Sequence, residues 1–348
     1  MISVTRLFRL GVRFAAWVTP HVKEWHRKRN LNLTEAERHM ANRNWSEAEN
    51  HLCRALSERR HNPKRRVGLI MDLANARSHL KKFTEAEETV QTAINLAQEN
   101  KDVAMQSRAL AVLADVQIDQ QKYAEAEQTI VQAQALENAG GTRDNAQLAL
   151  CARKLGTIFL NTGRQNEALN AFQQAAALSE QAFGPQHEQT ARSLSEVGML
   201  SRRHGNHAEA QRCLRKALEI HRSVSGADSN ESTQALYHLA ASLEESGNID
   251  DAVGEYERML RLKERQVGGN REETTAVQVR LAALYVKAGR VAPARELLMQ
   301  AMGVLERKGG AELAQALAVF ADVEDRMGRP VEASEWRTRA AEILGQPV

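Results

Sequence analysis

Small and aliphatic residues recur along this chain with a period of about forty residues. Eight alanines occupy equivalent places, separated by steps of 38, 40, 42, 42, 42, 42 and 39 residues: Ala48, Ala86, Ala126, Ala168, Ala210, Ala252, Ala294 and Ala333. A regular period of this size predicts a stack of similar units, each burying its apolar face against its neighbours. We call these residues the anchor alanines and number each unit from its anchor.

Each unit predicts two antiparallel helices joined by a short turn. Alanine or glycine stands twelve residues before every anchor, and seven units have alanine seven residues after it. Small residues at these places let two helices approach closely on one face. Five residues before the anchor, the last five units have glycine, which ends a helix in a left-handed conformation. The first three units have Arg43, Lys81 and Gln121 there, so we expect their turns to close differently.

Composition and the helix ends support an all-α fold. Alanine, leucine, glutamate, glutamine and arginine dominate, and only 4% of the residues are aromatic. Four residues after the anchor, an aliphatic or aromatic side chain gives way to Arg337 in the last unit, which we expect to face water. Ser46 with Glu49, and Thr84 with Glu87, predict capping boxes at the starts of two second helices.

The repeated positions resemble those of tetratricopeptide repeat proteins. The three small residues, the turn glycine and an aromatic residue before the anchor (Trp45, Phe83, Tyr123) carry the resemblance. The stretch FGPQHEQTARSL, residues 183–194, is similar to the inter-repeat loop of the 42-residue repeats of kinesin light chains. Its glycine recurs at Gly184, Gly226, Gly268 and Gly310. The resemblance implies a right-handed α-solenoid of about eight helix pairs over residues 31–344, preceded by a separate segment at 1–30 and followed by a tail at 345–348.

The resemblance also implies a non-catalytic scaffold that binds a protein or peptide on the concave face lined by the first helices. The candidate binding residues on that face are Asn75, Arg108, Asp115, Arg153, Lys154, Asn161, Arg192, Arg202, Arg203 and Tyr237. Their arginines favour an acidic peptide, because guanidinium groups bind carboxylates through two hydrogen bonds. The alternative interpretation is that these are ordinary solvated charges on an exposed helix face.

Residues 1–30 differ from the repeats in charge and pattern. They carry seven basic side chains against one acidic, whereas the rest of the chain is slightly acidic. Leu7, Leu10, Phe14 and Val18 follow a helical spacing beside arginines. Such a basic amphipathic helix is typical of a cap on the first repeat, of an anchor on an anionic membrane surface, or of a presequence such as mitochondrial proteins carry. All three interpretations stay open.

Other candidate chemistry is sparse. Residues 59–66 form a second basic cluster, but no nucleic-acid-binding motif accompanies it, so nucleic acid is a disfavoured partner. Three cysteines without metal-ligand spacing indicate reduced thiols in or beside the core and a cytoplasmic setting. His204 and His207 lack a third ligand nearby in sequence. Without a phosphate-binding loop or a nucleophile motif, we expect no enzyme, cofactor or metal.

Overall fold

The computed structural model describes residues 32–57, 62–139, 143–266 and 271–345, in which sixteen helices alternate with short turns and loops. The first helices of successive pairs are α1 (32–41), α3 (Pro63–His79), α5 (Val103–Asp119), α7 (Asn145–Asn161), α9 (Glu188–Arg203), α11 (Asn230–Glu245), α13 (Arg271–Lys287) and α15 (Gly310–Arg326). The second helices are α2 (Trp45–Ser57), α4 (Phe83–Glu99), α6 (Tyr123–Ala139), α8 (Gln165–Phe183), α10 (His207–Val224), α12 (Ile249–Gln266), α14 (Val291–Lys308) and α16 (Pro330–Leu344). The predicted all-α class is confirmed. The basic helix predicted within residues 1–30 lies outside the described residues.

The chain divides into two compact units, of which the first ends at Arg164 and the second begins at Gln165. Helices α1–α7 belong to the first unit and α8–α16 to the second. Within each unit, a helix packs against the next along the chain, and some first helices also contact one another, as α3 does with α5, α9 with α11 and α13 with α15. The faces of neighbouring first helices therefore form a continuous surface on which side chains from successive repeats can meet.

The anchor alanines form the centre of each helix pair. All eight are completely buried, and the small residues twelve before and seven after them are buried as well. At Gly198 in α9 the approach is closest, because an added Cβ atom would lie 2.5 Å from Cγ of Leu214 in α10. Such a distance is shorter than van der Waals contact. Only glycine therefore fits at this position with its neighbours unmoved.

The residues four positions after the anchor alanines belong to the core of the repeats. They are buried from Leu52 through Tyr256 to Leu298. Arg337 takes this place in α16, where it is exposed and forms ion pairs with Asp322 and Asp325 of α15. A charged side chain at the last of these positions keeps that face of α16 compatible with water, as the sequence predicts.

The expectation that the first three turns close differently is wrong. Arg43, Lys81 and Gln121 have φ angles of 56°, 60° and 62°, in the same left-handed region as Gly163 at 78° and Gly205 at 73°. The backbone hydrogen bonds match too, since Lys81 N donates to Ser78 O (2.8 Å) as Gly205 N donates to Arg202 O (2.9 Å). Helix packing imposes this turn, although a left-handed conformation costs a non-glycine residue about 1–2 kcal/mol.

The predicted capping boxes are not formed. Helix α4 already begins at Phe83 after Lys82, which makes no side-chain cap hydrogen bond, so Thr84 lies inside the first turn. Glu49 accepts from Arg77 Nε (3.0 Å) and Lys82 Nζ (2.7 Å) of the following repeat. Glu87 likewise accepts from Gln120 (2.7 Å) and Lys122 (3.0 Å). Because these carboxylates face the next repeat, they join successive repeats instead of capping their own helices.

Burial and neighbouring cations act in opposite directions on these two carboxyl groups. Burial raises their pKa, but hydrogen bonds from Lys82 and Arg77 to Glu49, and from Lys122 and Gln120 to Glu87, outweigh it. The pKa of each carboxyl is therefore lowered, and both carboxylates stay ionised at neutral pH. These ionised groups link successive repeats of the first unit.

Two of the inter-repeat loops, at Gly184 and Gly226, are built on the recurring glycine. Gly184 and Gly226 have φ angles of 92° and 93°, which side-chain-bearing residues rarely adopt. Six residues after each glycine, the hydroxyl of Thr190 or Ser232 donates to the glycine carbonyl, at 2.9 Å and 2.8 Å. In these two loops the hydroxyl fixes the glycine to the start of the following first helix.

Alanine at Gly198 and alanine at Gly254 should change stability in opposite directions. Gly198→Ala pushes a methyl group into Leu214 and should lower the free energy of unfolding by about 1–3 kcal/mol. Gly254→Ala, on the exposed face of α12 with open space around its Cα, should raise it by about 0.5–1 kcal/mol. Urea unfolding followed by circular dichroism measures both, and equal effects would contradict the close approach at Gly198.

Candidate functional site

The predicted binding residues of the first unit are largely engaged with one another or with nearby side chains. Arg108 of α5 forms an ion pair with Asp144 (3.2 Å), and Lys154 of α7 forms one with Asp115 of α5. Lys154 is buried, so its charge is directed at Asp115 and not at solvent. The first unit therefore presents less free positive charge than its sequence indicates.

The other predicted residues of this unit differ in exposure. Asn75 of α3 and Arg153 of α7 are half-buried, whereas Asn161 is exposed at the end of α7. The Asn161 side chain donates to the carbonyl oxygen of Thr157 (2.9 Å). Asn161 thus helps to finish its own helix.

Four predicted residues lie in the second unit, where two of the three arginines also have acidic partners. Arg192 of α9 pairs with Glu188 (3.3 Å), and Arg202 of α9 pairs with Glu245 of α11. Arg203 is exposed, as is Tyr237 of α11. These acidic partners come from the preceding turn of α9 and from the next repeat, and they were not foreseen from the sequence.

A cavity of about 410 Å³ opens beside α9, α10 and α11. We call it the histidine cavity, because His221 and His238 contribute to its wall. Its lining residues are Arg192, Ser195, Glu196, Met199, His221, Glu231, Gln234, Ala235 and His238. It therefore combines imidazole, carboxylate and thioether groups on one surface of the second unit.

The two imidazoles of the histidine cavity are held in their neutral form. His221 is 1% exposed, and its Nε2 lies 3.3 Å from Ser195 Oγ. Among the described residues, Nδ1 of His221 and Nδ1 of His238 are buried without a hydrogen-bond partner. Burial lowers the pKa of both groups, with Arg202 and Arg203 adding to the effect at His238, whose pKa falls to about 4.

Carboxylates outnumber cations along the wall of this cavity. Arg192 is engaged with Glu188. Glu196 and Glu231 also line the wall, and Glu231 forms no ion pair within the described part of the chain. Glu231 instead acts on His221 at longer range, where it opposes the lowering of the imidazole pKa. Negative charge from Glu231 thus acts at His221, whereas positive charge from Arg202 and Arg203 acts at His238.

A second, smaller cavity of about 200 Å³ lies further along the same unit. We call it the tyrosine cavity. It is lined by Tyr237, Tyr256, Met259, Ala276, Val277, Val279, Arg280, Leu305, Glu312 and Gln315. Most of these side chains are apolar, so this cavity suits a hydrophobic group.

Aromatic and charged groups are combined in the wall of the tyrosine cavity. The Arg280 guanidinium lies 5.8 Å and 5.7 Å from the ring centroids of Tyr237 and Tyr256. It donates to Glu244 (2.8 Å) and to the Tyr237 hydroxyl (3.0 Å). Tyr256 is completely buried, its pKa is raised by burial, and its hydroxyl has no hydrogen-bond partner in the described residues.

The two cavities occupy equivalent places in the repeat and are two repeats apart. In each cavity, one repeat contributes the residues 18, 15 and 14 positions before its anchor alanine and the residue 11 positions after it. The following repeat contributes the residues 21 and 18 positions before its own anchor alanine. The matching residues include Ser195 and Val279, His221 and Leu305, and Gln234 and Gln315. The repeat therefore builds the same kind of recess twice and changes its chemistry through the side chains.

Sequence reasoning found part of this wall. It identified the first-helix face through Arg192 and Tyr237, which line the two cavities. It missed His238 and Arg280, 14 residues before their anchors, and His221 on a second helix. The signal that finds them is the repeat itself, because equivalent positions of a solenoid line equivalent surfaces.

The described residues hold no group of three or more histidine, cysteine or acidic side chains able to bind a metal ion. His204 contacts Gln165 (3.2 Å), whereas His207 lies 3.9 Å from Glu245, so the two histidines face different partners. Cys151 and Cys213 are buried, and burial raises the pKa of each to about 12. Cys53 is exposed, which corrects the prediction that all three thiols lie in or beside the core.

None of the helices in the described ranges is long and apolar enough to cross a membrane. The basic leader lies outside those ranges, as do residues 59–61 of the second basic cluster. Within that cluster, Asn62 caps α3 by accepting from Lys64 N (3.0 Å), and the Lys64 side chain pairs with Asp102 (3.3 Å). This part of the cluster serves the local fold.

Family comparison identifies the repeats. Residues 147–223 and 231–307 match the family model of the tetratricopeptide repeat. These two ranges are therefore similar to tetratricopeptide repeats, which confirms the predicted resemblance for this part of the chain. No curated protein sequence matches the chain. Proteins of this family are typically non-catalytic and act as scaffolds for protein interactions.

Solved structures share the architecture at low sequence identity. A signal transduction ATPase with a tetratricopeptide repeat sensor from Pyrococcus horikoshii matches with a TM-score of 0.65 and 16% identity, over 87% of this chain and 46% of that one. The C-terminal part of a repeat protein from Cytophaga hutchinsonii matches with a TM-score of 0.55 and 15% identity, over 78% and 95%. Kinesin light chain-like repeats from Podospora anserina are also similar, with a TM-score of 0.49 and 17% identity, over 60% and 99%. At such identities the likeness concerns the fold alone.

The neutral state of His238 should make stability depend on pH. Its pKa is lowered from 6.5 to about 4, so the stability linked to neutral imidazole is complete above pH 6.5 and is lost as the pH falls towards 4. The free energy of unfolding of the wild type should fall by roughly 2–3 kcal/mol more than that of His238→Gln between pH 7 and pH 4. Urea titrations at both pH values measure the difference. Parallel losses in the two proteins would contradict the buried, neutral state of His238.

Proposed function

We propose that this protein is a non-catalytic scaffold that binds an extended peptide segment of a partner protein along α9, α11, α13 and α15. The observation that carries the proposal is the pair of equivalent cavities on these helices. Each is lined by side chains of two successive first helices and of the second helix between them.

The exposed side chains beside the cavities favour binding. Partly exposed Tyr237 adds an aromatic surface beside one cavity, and aromatic residues are enriched among residues that dominate binding energy. A segment that places side chains in both recesses buries surface in each of them.

An extended peptide suits this surface better than a compact ligand. The recesses recur with the repeat, and an extended chain presents its side chains at regular intervals. The acidic peptide indicated by the arginines of the sequence stays a prediction, as do membrane association through residues 1–30 and binding of nucleic acid. The described residues add no contact that favours either of the last two.

Blocking both recesses should abolish peptide binding. A random peptide library displayed on phage, selected against the intact chain, should enrich sequences whose binding is lost at least tenfold on the double variant Gln234→Trp, Gln315→Trp. Both glutamines are exposed and stand 18 residues before their anchors, where tryptophan fills the recess.

The matched control is Gln174→Trp, which adds the same side chain at an exposed position of the second helix α8. Peptides selected on the wild type should bind this variant unchanged. Enriched peptides that bind the double variant as well as the wild type, or a selection that enriches nothing, would overturn the proposed function.

A further inference from the structure

A third cavity, of about 470 Å³, lies beside α10, α11 and α12 and shares no lining residue with the histidine and tyrosine cavities. We call it the arginine cavity, because Arg215, Arg222 and Arg258 contribute to its wall. We propose that it binds an aspartate or glutamate side chain of a partner protein. This second docking surface is formed mainly by second helices, so it goes beyond the proposed function, in which the peptide lies along first helices.

The repeat itself shows which charges meet at this place. In two pairs of neighbouring second helices, the residue 12 positions after one anchor alanine forms an ion pair with the residue six positions after the next anchor alanine. Glu180 of α8 pairs with Lys216 of α10 (3.2 Å), and Glu306 of α14 pairs with Arg339 of α16 (3.1 Å). Because equivalent positions of a solenoid lie at equivalent places, these positions bring one carboxylate and one cation together.

In α10 and α12 the same two positions are both occupied by arginine. Arg222 takes the place of the acidic residue, and Arg258 takes the place of the basic residue. Arg222 is exposed and forms no ion pair within the described part of the chain. The carboxylate that pairs with the cation in the other two helix pairs is therefore missing, and a ligand carboxylate in the arginine cavity supplies it.

The charged groups of the cavity wall leave an excess of one positive charge, since three arginines accompany two glutamates. Glu219 stands four residues after Arg215 on α10, a spacing at which side chains are neighbours on a helix surface. Glu255 lies 3.6 Å from Arg258, but its buried Oε2 atom accepts no hydrogen bond within the described residues. Pairing each glutamate with one arginine leaves one guanidinium group for a ligand.

The size of this excess favours a carboxylate side chain over other anions. A single carboxylate carries one negative charge, which one guanidinium group neutralises. A phosphate dianion or an anionic bilayer would also be repelled by Glu219 and Glu255, and it finds only one uncompensated cation in the wall. Asp228, beside the lining residue Ala227, adds no net charge because it pairs with Arg265 (3.7 Å).

The groups that would bind the carboxylate are accessible. Arg215 and Arg222 are exposed, and 30% of the Arg258 side-chain surface is exposed. Guanidinium groups present N–H donors in a planar fork that matches the two oxygens of a carboxylate. A side chain of a partner protein therefore reaches these donors from solvent, without any rearrangement of the buried core.

Reversing the charge of Arg222 tests this inference. Arg222→Glu gives α10 and α12 the glutamate–arginine combination that α14 and α16 already have, so the variant should fold like the wild type, as circular dichroism checks. Dodecapeptides displayed on phage, selected on the wild type and depleted on Arg222→Glu, should share an aspartate or glutamate. They should bind Arg222→Glu at least tenfold more weakly than the wild type, because repulsion replaces attraction.

The matched control is Arg307→Glu, which reverses an exposed arginine of α14 that has no ion pair within the described ranges. The selected peptides should bind this variant, and the double variant Gln234→Trp, Gln315→Trp, as tightly as the wild type. Replacing the shared acidic residue by its amide should weaken binding to the wild type at least tenfold and change binding to Arg222→Glu little.

Selected peptides without a shared acidic residue, an equal loss on Arg307→Glu, or a selection in which depletion leaves no binder would overturn this inference. Loss of binding on Gln234→Trp, Gln315→Trp would place the peptides at the first helices, which overturns this inference and leaves the proposed function standing. Phosphatidylserine vesicles should sediment the wild type and Arg222→Glu equally. Vesicle binding lost only on Arg222→Glu would assign the cavity to a membrane surface and overturn the inference as well.

Discussion

The close approach of two helices at small side chains is the constraint on which the other features of this protein depend. The anchor alanines are completely buried, and glycine or alanine stands opposite them on the first helices. At Gly198 the space is too small even for a methyl group beside Leu214. Because the backbones are so close, each pair has little freedom to rotate, and the same residues of every repeat face the same side.

That fixed orientation separates structural from functional positions. Residues on the packed faces are small or aliphatic in nearly every repeat, whereas residues 18, 15 and 14 before the anchors change from Arg192, Ser195 and Glu196 in one repeat to Ala276, Val279 and Arg280 two repeats later. The surface shape repeats while the chemistry differs. A peptide bound there would be recognised by the order of its side chains along an extended backbone.

The sequence predicts the fold well because the signal is periodic. The helix pairs, the buried anchors and the exposed Arg337 all follow from residue spacing, which local sterics and burial translate directly into structure. Two local expectations were wrong for a shared reason. Lys81 adopts the left-handed turn, and Glu87 binds the next repeat instead of its own helix start, because packing between helices overrides local preference.

The proposed binding surface was harder to predict, since charge in a sequence does not show which charges pair. Arg192 and Arg202 suggested an acidic ligand, but Glu188 and Glu245 partner them in the folded chain. The acceptors of the histidine cavity come from a first helix and a second helix, His238 and His221, which no local motif connects. Only the three-dimensional arrangement brings these groups to one wall.

Methyl NMR of the methionine side chains tests the central claim most directly, namely that a peptide binds along the first helices of the second unit. Met199 lines the histidine cavity and Met259 lines the tyrosine cavity, whereas Met299 and Met327 are exposed and line neither cavity. With a peptide selected on the intact chain, the methyl resonances of Met199 and Met259 should shift as the peptide is added, and those of Met299 and Met327 should stay in place. Shifts confined to Met299 or Met327 would contradict the account.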